Sequence, residues 1–229
     1  MPKIIMIEPR WWYEFLLQVV ALWKKYPRLA NFYPIWADIF VFVYPIFLLI
    51  LYFYWIIKKH LESKIAALFI FFWCFFSAAT NILVQQFFDK QRPIYELWMK
   101  EFDETMLHQF LPTTSFPSDH AVVTFSIAMA TFLIAHKNSN KELRIWSYFL
   151  FLIAIITVLC RIWTTVHWTT DILAGCIMWI LVPVILAIPS FYEKEEKWLF
   201  HPIIKFEERI LEKLFKVKPT ITKDRMHNE

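Results

Sequence analysis

The chain has 229 residues, enough for one compact domain, and a net charge of +4 that is spread along its length. Its residues are 59% hydrophobic and 20% aromatic, which excludes an ordinary soluble domain, and several apolar runs approach the ~20 residues that cross a bilayer core. The modest positive charge favours anionic lipid headgroups as partners and gives no indication of nucleic acid. We therefore expect an all-α integral membrane protein, a bundle of five or six helices in the cell membrane.

The first apolar stretch, Trp11 to Trp23, is short for a membrane span and contains Glu14 and Gln18. Its length and aromatic ends favour an interfacial helix at the membrane surface. A membrane crossing is the alternative that the sequence leaves open. The expected boundaries are an N-terminal interfacial helix in residues 1–36, a transmembrane domain in 37–190 and a C-terminal tail in 191–229.

Five longer apolar runs follow, and each approaches the length of a membrane span. They cover residues 37–57, 65–88, 115–137, 145–160 and 172–189. Asp38 is an unusual residue at the start of the first run. Asn81, Gln85 and Gln86, near the end of the second run, should face protein or a water-filled cavity and not lipid. The three cysteines all lie within apolar runs, so we expect neither a disulfide nor a metal site.

The tail carries apolar residues at helical spacing, with lysine and arginine between them. This pattern predicts a basic amphipathic helix that lies on an anionic leaflet or packs on the ends of the spans, and the sequence allows both. With five spans, the loops at 58–64 and 137–144 share one side with the tail. Their excess of Lys and Arg makes that side, and the C-terminus, cytoplasmic. The polar connection 89–118 then faces outward.

Residues 115–120, Ser-Phe-Pro-Ser-Asp-His, join this polar connection to the third run. Pro117 cannot continue a helix from its N-terminal side, and Ser118 or Asp119 is a good N-cap. A helix with His120 in its first turn should therefore begin here. The unpaired N–H groups and the dipole of such a helix start form a natural anion site, for which phosphate is the commonest ligand.

Polar residues stand at the ends of three different apolar runs, and the expected orientation places all of them on the outer face. They are Arg92, Ser118, Asp119, His120, Arg161, His167 and Asp171. Singly, each is more readily explained as an interfacial, snorkelling or loop side chain. Jointly they form a set that chance does not place on one face, so we expect them to share one pocket.

His167 and Asp171 are four residues apart, which makes them stacked neighbours on a helix. A carboxylate bonded to one ring nitrogen fixes the tautomer and leaves the other nitrogen free as a nucleophile. His120 could then protonate a leaving oxygen. The guanidinium forks of Arg92 and Arg161 match phosphate oxygens. No carboxylate cluster suited to magnesium accompanies them, so we expect no metal and no cofactor.

These motifs resemble those of the type 2 phosphatidic acid phosphatase superfamily, whose signature is Lys-x6-Arg-Pro, then Pro-Ser-x-His, then Arg-x5-His-x3-Asp. The second motif is complete at 117–120, and the third is complete in spacing over 161–171. The first keeps Arg92-Pro93 but has Gln85 in place of the lysine. Where glycine and proline are usual before and after the histidine of the third motif, the chain has Thr164, Thr165 and Thr169.

The resemblance implies that His167 is the nucleophile, that Asp171 orients it and that His120 is the general acid, with no metal required. The residues that it implies for phosphate binding are Arg92, Ser118, Asp119 (through its backbone), Arg161 and, at the lysine position, Gln85. Within the superfamily the chain is most similar to bacterial undecaprenyl-diphosphate phosphatases of the BcrC type, which implies removal of the terminal phosphate from undecaprenyl diphosphate. Phosphatidylglycerophosphate or a lipid A phosphate is an alternative substrate, and a non-enzymatic lipid-binding protein is the remaining alternative.

Overall fold

The structure, a computed structural model, describes residues 8–26, 38–58, 61–97, 114–186, 188, 192–194 and 196–215. Regular secondary structure in these residues is helical. The α-helices are α1 (Arg10–Lys25), α2 (Val43–Lys58), α3 (Leu61–Gln85), α4 (Pro93–Glu96), α5 (Asp119–Lys137), α6 (Lys141–Trp163), α7 (Thr169–Leu186) and α8 (His201–Phe215). A 3-10 turn, Ile39–Phe42, precedes α2, and a π-helical turn, Glu196–Phe200, precedes α8. Residues 98–113 of the expected outward loop and 216–229 of the tail lie outside the described part.

Three of the described helices, α3, α5 and α6, are long and apolar enough to cross a membrane, and α2 and α7 contain shorter apolar stretches. Large apolar side chains are exposed on the outside of this group of helices, among them Phe75, Leu83, Leu152 and Ile177. Such extensive apolar surface is stable against lipid and not against water. The expectation of an all-α membrane bundle is therefore confirmed, and the five-span topology remains a prediction.

Helix α5 lies at the centre of the bundle, where it packs against α3, α6 and α7. In an apolar stretch of 18 residues within α5, 61% of the residues are buried, against 33% in the corresponding stretches of α3 and of α6. Small side chains allow α5 to occupy the centre of the bundle. Ala121, Ala128 and Ala130 are fully buried and let the backbones of the neighbouring helices approach closely. The helix that begins at the Ser118-Asp119-His120 sequence is thus surrounded by the others.

The closest approach to α5 comes from α7 at Gly175, the single glycine of the chain. A Cβ atom on Gly175 would lie 2.9 Å from Cβ of Ala121 and 3.2 Å from the carbonyl oxygen of Ser118. Beside it, the backbone N–H of Ser118 donates to the carbonyl oxygen of Asp171 at 3.2 Å. The first turns of α5 and α7 are therefore in direct contact, at the end of the bundle that also holds the ends of α3 and α6. We call this the His167 end.

Helix α1 covers the His167 end. Its buried side, which includes Leu16 and Val20, packs in one apolar cluster with Ile94, Val166 and Trp168. The indole Nε1 of Trp23 donates to the carbonyl oxygen of Trp163 at 3.1 Å, and the rings of Tyr13 and Trp168 are stacked. The opposite side of α1 leaves Trp11 67% exposed, as expected for a helix with one side toward a membrane surface.

The polar residues near the end of α3 differ in burial on the two sides of the helix terminus. Asn81 and Gln85 are buried against protein, as expected. Gln86 is exposed and so does not face protein, because α3 ends at Gln85.

Helix α8 packs on the opposite end of the bundle. Glu207 accepts a hydrogen bond from the Tyr52 hydroxyl at 2.6 Å and pairs with the buried ammonium of Lys64 at 2.7 Å. Ile204 and Phe200 belong to the main apolar core, while Phe206 on the other face is 67% exposed. Of the two alternatives for the tail helix, the contacts support packing on the ends of the helices, and its exposed apolar face remains suited to a leaflet surface.

Candidate active site

His167 lies in the turn between α6 and α7. The turn folds back on the last residues of α6, so that the N–H groups of Val166 and His167 approach the carbonyl oxygen of Arg161 at 3.2 and 3.4 Å. Thr165 has a positive φ of 53°, a conformation that a β-branched residue rarely adopts. This position is one of those where the sequence has threonine in place of the usual glycine. The turn aims the His167 ring into the interior, where it is 1% exposed.

The hydrogen bonds of the His167 ring define its tautomer. Nε2 lies 3.1 Å from Nη1 of Arg92, and Nδ1 lies 2.9 Å from the carbonyl oxygen of Ser115. A guanidinium group only donates, so Nε2 must accept with its lone pair. Nδ1 therefore carries the proton and donates it to Ser115. The nitrogen that keeps a lone pair is Nε2, and it points toward a buried cation.

Asp171 does not bond the His167 ring directly. Its Oδ2 atom is 3.6 Å from Nδ1 of His167, which is too far for a hydrogen bond. The prediction of a direct hydrogen bond, made from the four-residue spacing, is therefore wrong. The physical reason is that α7 begins at Thr169, which leaves His167 outside the helix. Oδ2 instead accepts from the N–H of Trp168 at 2.9 Å and from the hydroxyl of Ser115. Asp171 thus acts on His167 through Ser115, a residue to which the sequence analysis gave no role.

His120 meets a carboxylate that the sequence marks only as unusual. Its Nε2 atom lies 3.0 Å from Oδ1 of Asp38, and Nη1 of Arg161 donates to the same oxygen at 2.7 Å. All three residues are buried. Asp38 lies just before α2, far from both partners in sequence. The sequence signal for Asp38 is an acidic residue at the start of an apolar run. Burial of its charge there is costly unless a polar or charged partner lies nearby.

The start of α5 is held in place from α3. Nε2 of Gln85 donates to the carbonyl oxygen of Pro117 and to Oδ1 of Asp119, both at 2.9 Å, and Asn81 donates to the same Oδ1 at 2.8 Å. The structure therefore places Gln85 as an anchor of the helix start. Ser118 occupies the N-cap position, but its hydroxyl does not cap the helix. The Ser118 hydroxyl is fully buried and has no hydrogen-bond partner among the described residues.

The two arginines are buried in the same region, Arg92 at 4% and Arg161 at 0% exposure. Arg92 also donates to the carbonyl oxygen of Val166 at 3.3 Å and to that of Thr114 at 3.4 Å. Both guanidinium groups lie within electrostatic range of His120. The structure thus gathers two imidazoles, two guanidinium groups, a buried serine hydroxyl and the N-terminus of α5 at the His167 end.

Lys90 is the principal residue that the sequence analysis missed. It is buried, and its ammonium donates to Oδ1 of Asp171 at 2.7 Å. Lys90 lies five residues after Gln85, the position at which the superfamily signature has its lysine. In the described part of the chain no group of three or more His, Cys, Asp and Glu side chains converges in a way that could hold a metal ion.

Comparisons with known proteins give a consistent result. Residues 77–194, just over half of the chain, match the family model of the PAP2 superfamily. Over 100 residues, 44% of the chain, the sequence is 30% identical to a Bacillus licheniformis protein named bacitracin transport permease protein BcrC. The matched stretch spans 43% of that relative, less than half of its length. No solved structure matches the chain.

Proposed function

Because this chain belongs to the PAP2 superfamily, we propose that it hydrolyses undecaprenyl diphosphate to undecaprenyl phosphate and inorganic phosphate through a phosphohistidine intermediate. The observation that carries the proposal is the environment of His167, whose Nε2 lone pair is held beside Arg92 while Nδ1 is fixed on Ser115. An imidazole with one nitrogen anchored and the other presented to a buried cation is arranged as a nucleophile toward a phosphoryl group.

In the first step Arg92 transfers its hydrogen bond from Nε2 of His167 to a phosphoryl oxygen of the bound substrate. The freed Nε2 lone pair attacks the terminal phosphorus, and the bond from phosphorus to the bridging oxygen breaks. His120, which takes up a proton when the anionic substrate binds, transfers that proton to the leaving lipid phosphate. In the second step a water molecule attacks the phosphorus of the phosphohistidine and gives a proton to His120. The phosphorus–nitrogen bond then breaks, inorganic phosphate leaves and His167 regains its lone pair.

The charge on the transferred phosphoryl group is stabilised by groups that are already in place. Arg92 and Arg161 supply buried guanidinium groups, and the buried hydroxyl of Ser118 supplies a donor at the N-terminus of α5. Backbone N–H groups of Asp119 and His120 belong to the first turn of α5, where helix N–H groups have no internal partner. Two arginines suit the additional charge of a diphosphate.

Substrate binding must also rearrange Asp38. Its Oδ1 atom receives donors from His120 and Arg161, the two groups that the mechanism assigns to phosphoryl oxygens. Two such donors that converge on one oxygen resemble the surroundings of a bound phosphoryl oxygen. The carboxylate therefore occupies a position that the substrate takes over.

The charge distribution supports an outward orientation of the His167 end, with α8 and the C-terminus on the cytoplasmic side. At the membrane boundary the site can meet a headgroup while the isoprenoid chain stays in lipid. Such an enzyme would regenerate the carrier lipid of cell-wall synthesis. The name of the Bacillus licheniformis relative suggests bacitracin transport as the rival function, and a test of hydrolysis decides between the two.

The test is phosphate release by the purified full-length protein in detergent, with and without EDTA. Undecaprenyl diphosphate, phosphatidylglycerophosphate and a lipid A phosphate are compared side by side. We expect the highest rate on the first, no loss in EDTA, and no turnover by His167→Ala. His136→Ala, at the opposite end of α5, is the matched control and should retain activity. A higher rate on another lipid changes the substrate assignment, and absence of turnover on all three refutes the phosphatase.

A further inference from the structure

The geometry around Asp171 points to a positioning pair that no motif contains: we propose that Lys90 and Glu8 hold Asp171 and Ser115 in place and thereby fix the ring of His167. This inference rests on the proposed function of the site. It concerns residues that do not touch the phosphoryl group, and Glu8 lies outside residues 77–194, the part that matches the superfamily.

All hydrogen bonds available to the Lys90 ammonium are used inside the protein. The ammonium donates to Oδ1 of Asp171 at 2.7 Å, to the hydroxyl of Thr170 at 2.6 Å and to Oε1 of Glu8. A lysine ammonium has three N–H donors, so these contacts account for all of them. Lys90 and Asp171 are 4% and 0% exposed, which excludes water as the main partner of either charge. Lys90 is therefore directed at Asp171 and not at the phosphate pocket.

Lys90 reaches His167 by two routes that meet at Ser115. Through its side chain it neutralises Asp171, whose other oxygen accepts from the Ser115 hydroxyl. Through its backbone, the carbonyl oxygen of Lys90 accepts the N–H of Ser115 at 2.8 Å. The carbonyl oxygen of Ser115 in turn accepts from Nδ1 of His167 at 2.9 Å. Ser115 is thus fixed on both sides by Lys90 and Asp171, and it fixes the tautomer of His167.

Glu8 completes the pair electrostatically. Its side chain is 6% exposed and contacts both Lys90 and the hydroxyl of Thr170. Without the Glu8 carboxylate, the buried ammonium of Lys90 would keep only Asp171 as a carboxylate partner. One of its N–H donors would lose its acceptor, and its positive charge would be less well neutralised. Glu8 lies two residues before the first residue of α1, so the docking of α1 on Trp163 and Trp168 brings it to the site. The N-terminal helix therefore contributes a residue to the catalytic end of the bundle.

A loss of this pair should slow the chemical step and leave phosphate binding intact, because a displacement of a reacting group by about 1 Å costs roughly 100-fold in rate. The variants are Lys90→Met, Lys90→Arg and Glu8→Gln, with Glu14→Gln as the control. Glu14 is an exposed residue of α1 that pairs with Arg10. Each full-length protein is assayed for kcat and KM on the preferred lipid phosphate and for direct binding of inorganic phosphate.

We expect Lys90→Met to lower kcat roughly 100-fold and Glu8→Gln roughly tenfold, with KM and the Kd for inorganic phosphate within about threefold of the wild type. Lys90→Arg should recover part of the loss, and Glu14→Gln should behave as the wild type. In an Asp171→Asn background, Lys90→Met should lower kcat only slightly further, because the negative charge that Lys90 compensates is already absent.

Three results would overturn the inference: an unchanged kcat in Lys90→Met, an equal rise of KM and of the Kd for phosphate, or full additivity with Asp171→Asn. Retained phosphate binding shows that Lys90→Met is folded; if it is lost, Glu8→Gln and the background test decide. A wild-type protein that hydrolyses no lipid phosphate refutes the proposed function. An active wild type with indifferent variants refutes the positioning pair alone.

Discussion

The Nε2 atom of His167 lies 3.1 Å from Nη1 of Arg92. Arg92 simultaneously reaches two backbone carbonyl oxygens, those of Val166 and Thr114, so its planar group is fixed in orientation. Because an arginine remains protonated and can only donate, this contact makes Nε2 the unprotonated nitrogen of the His167 ring, with its lone pair accepting from Arg92.

The first prediction follows from that geometry. Arg92→Lys should lower kcat about 100-fold, because one ammonium on a flexible stem cannot replace a fork that contacts three groups. Steady-state hydrolysis of the preferred lipid phosphate measures the effect. Arg144→Lys, near the start of α6 at the opposite end of the bundle, is the control. Equal kcat values for the two variants would contradict the assigned role of Arg92.

The second prediction concerns Asp38 as an occupant of the phosphate position. Asp38→Asn keeps the shape of the side chain but turns two charge-assisted hydrogen bonds into weaker ones, a difference of about 1 kcal/mol or more. Inorganic phosphate should then bind about tenfold more tightly, because it displaces a weaker competitor. Competitive inhibition by inorganic phosphate gives the value, with the exposed Asp89→Asn as the control.

Weaker or unchanged binding of phosphate to Asp38→Asn would contradict this assignment. A fall in kcat at constant phosphate affinity would instead make Asp38 the group that orients His120.

The third prediction concerns the contact between α5 and α7. Alanine normally favours a helix over glycine by about 1 kcal/mol. At Gly175, however, a Cβ would lie 2.9 Å from Cβ of Ala121 and 3.2 Å from the carbonyl oxygen of Ser118, neither of which can rotate away. Overpacking of this kind costs about 1–3 kcal/mol of stability, so the steric cost of the added Cβ outweighs the gain in helix propensity.

Gly175→Ala should therefore lower the Tm by several degrees and reduce kcat about tenfold, since the start of α5 is displaced from the phosphate position. Leu173→Ala, an exposed position on the same helix, should do neither. Thermal unfolding in detergent and the hydrolysis assay measure the two effects. A Gly175→Ala protein that is more stable than the wild type would show that the helices can separate without cost.

The fourth prediction concerns the turn before His167. Thr165 has a φ of 53°, and a left-handed conformation costs a residue with a side chain about 1–2 kcal/mol. Thr165→Gly removes this strain and should raise the Tm by about 2–4 °C. The neighbouring Thr164 has a φ of −81° and donates to the carbonyl oxygen of Arg161, so Thr164→Gly should lower the Tm. A decrease for both variants would mean that packing of the Thr165 side chain dominates its strain.

Local sequence patterns predicted the fold class and much of the site. Apolar runs identified the membrane helices, because burial of a long uninterrupted run requires a helix in lipid. Pro117 and Ser118 located the start of α5 to within a residue, because the constraints of a proline and a helix cap act over one turn. Helix α7, in contrast, begins at Thr169 and not before His167. His167 and Asp171 therefore stay close, at 3.6 Å, without the direct hydrogen bond that a shared helix would favour.

By itself the sequence determined that the chain is a helical membrane protein, predicted an anion site at the start of α5, and identified the histidines and arginines that lie near it. Only the tertiary structure decided which carboxylates meet them. Asp38 joins His120 and Arg161 across 82 and 123 residues of the chain, and Glu8 joins Lys90 across 82 residues. The physical reason is that a periodic pattern specifies neighbours within a turn or two, whereas a buried ion pair between distant segments depends on how whole helices pack. The geometry of the candidate site therefore rests on contacts that the packing of α1, α2 and α5 creates.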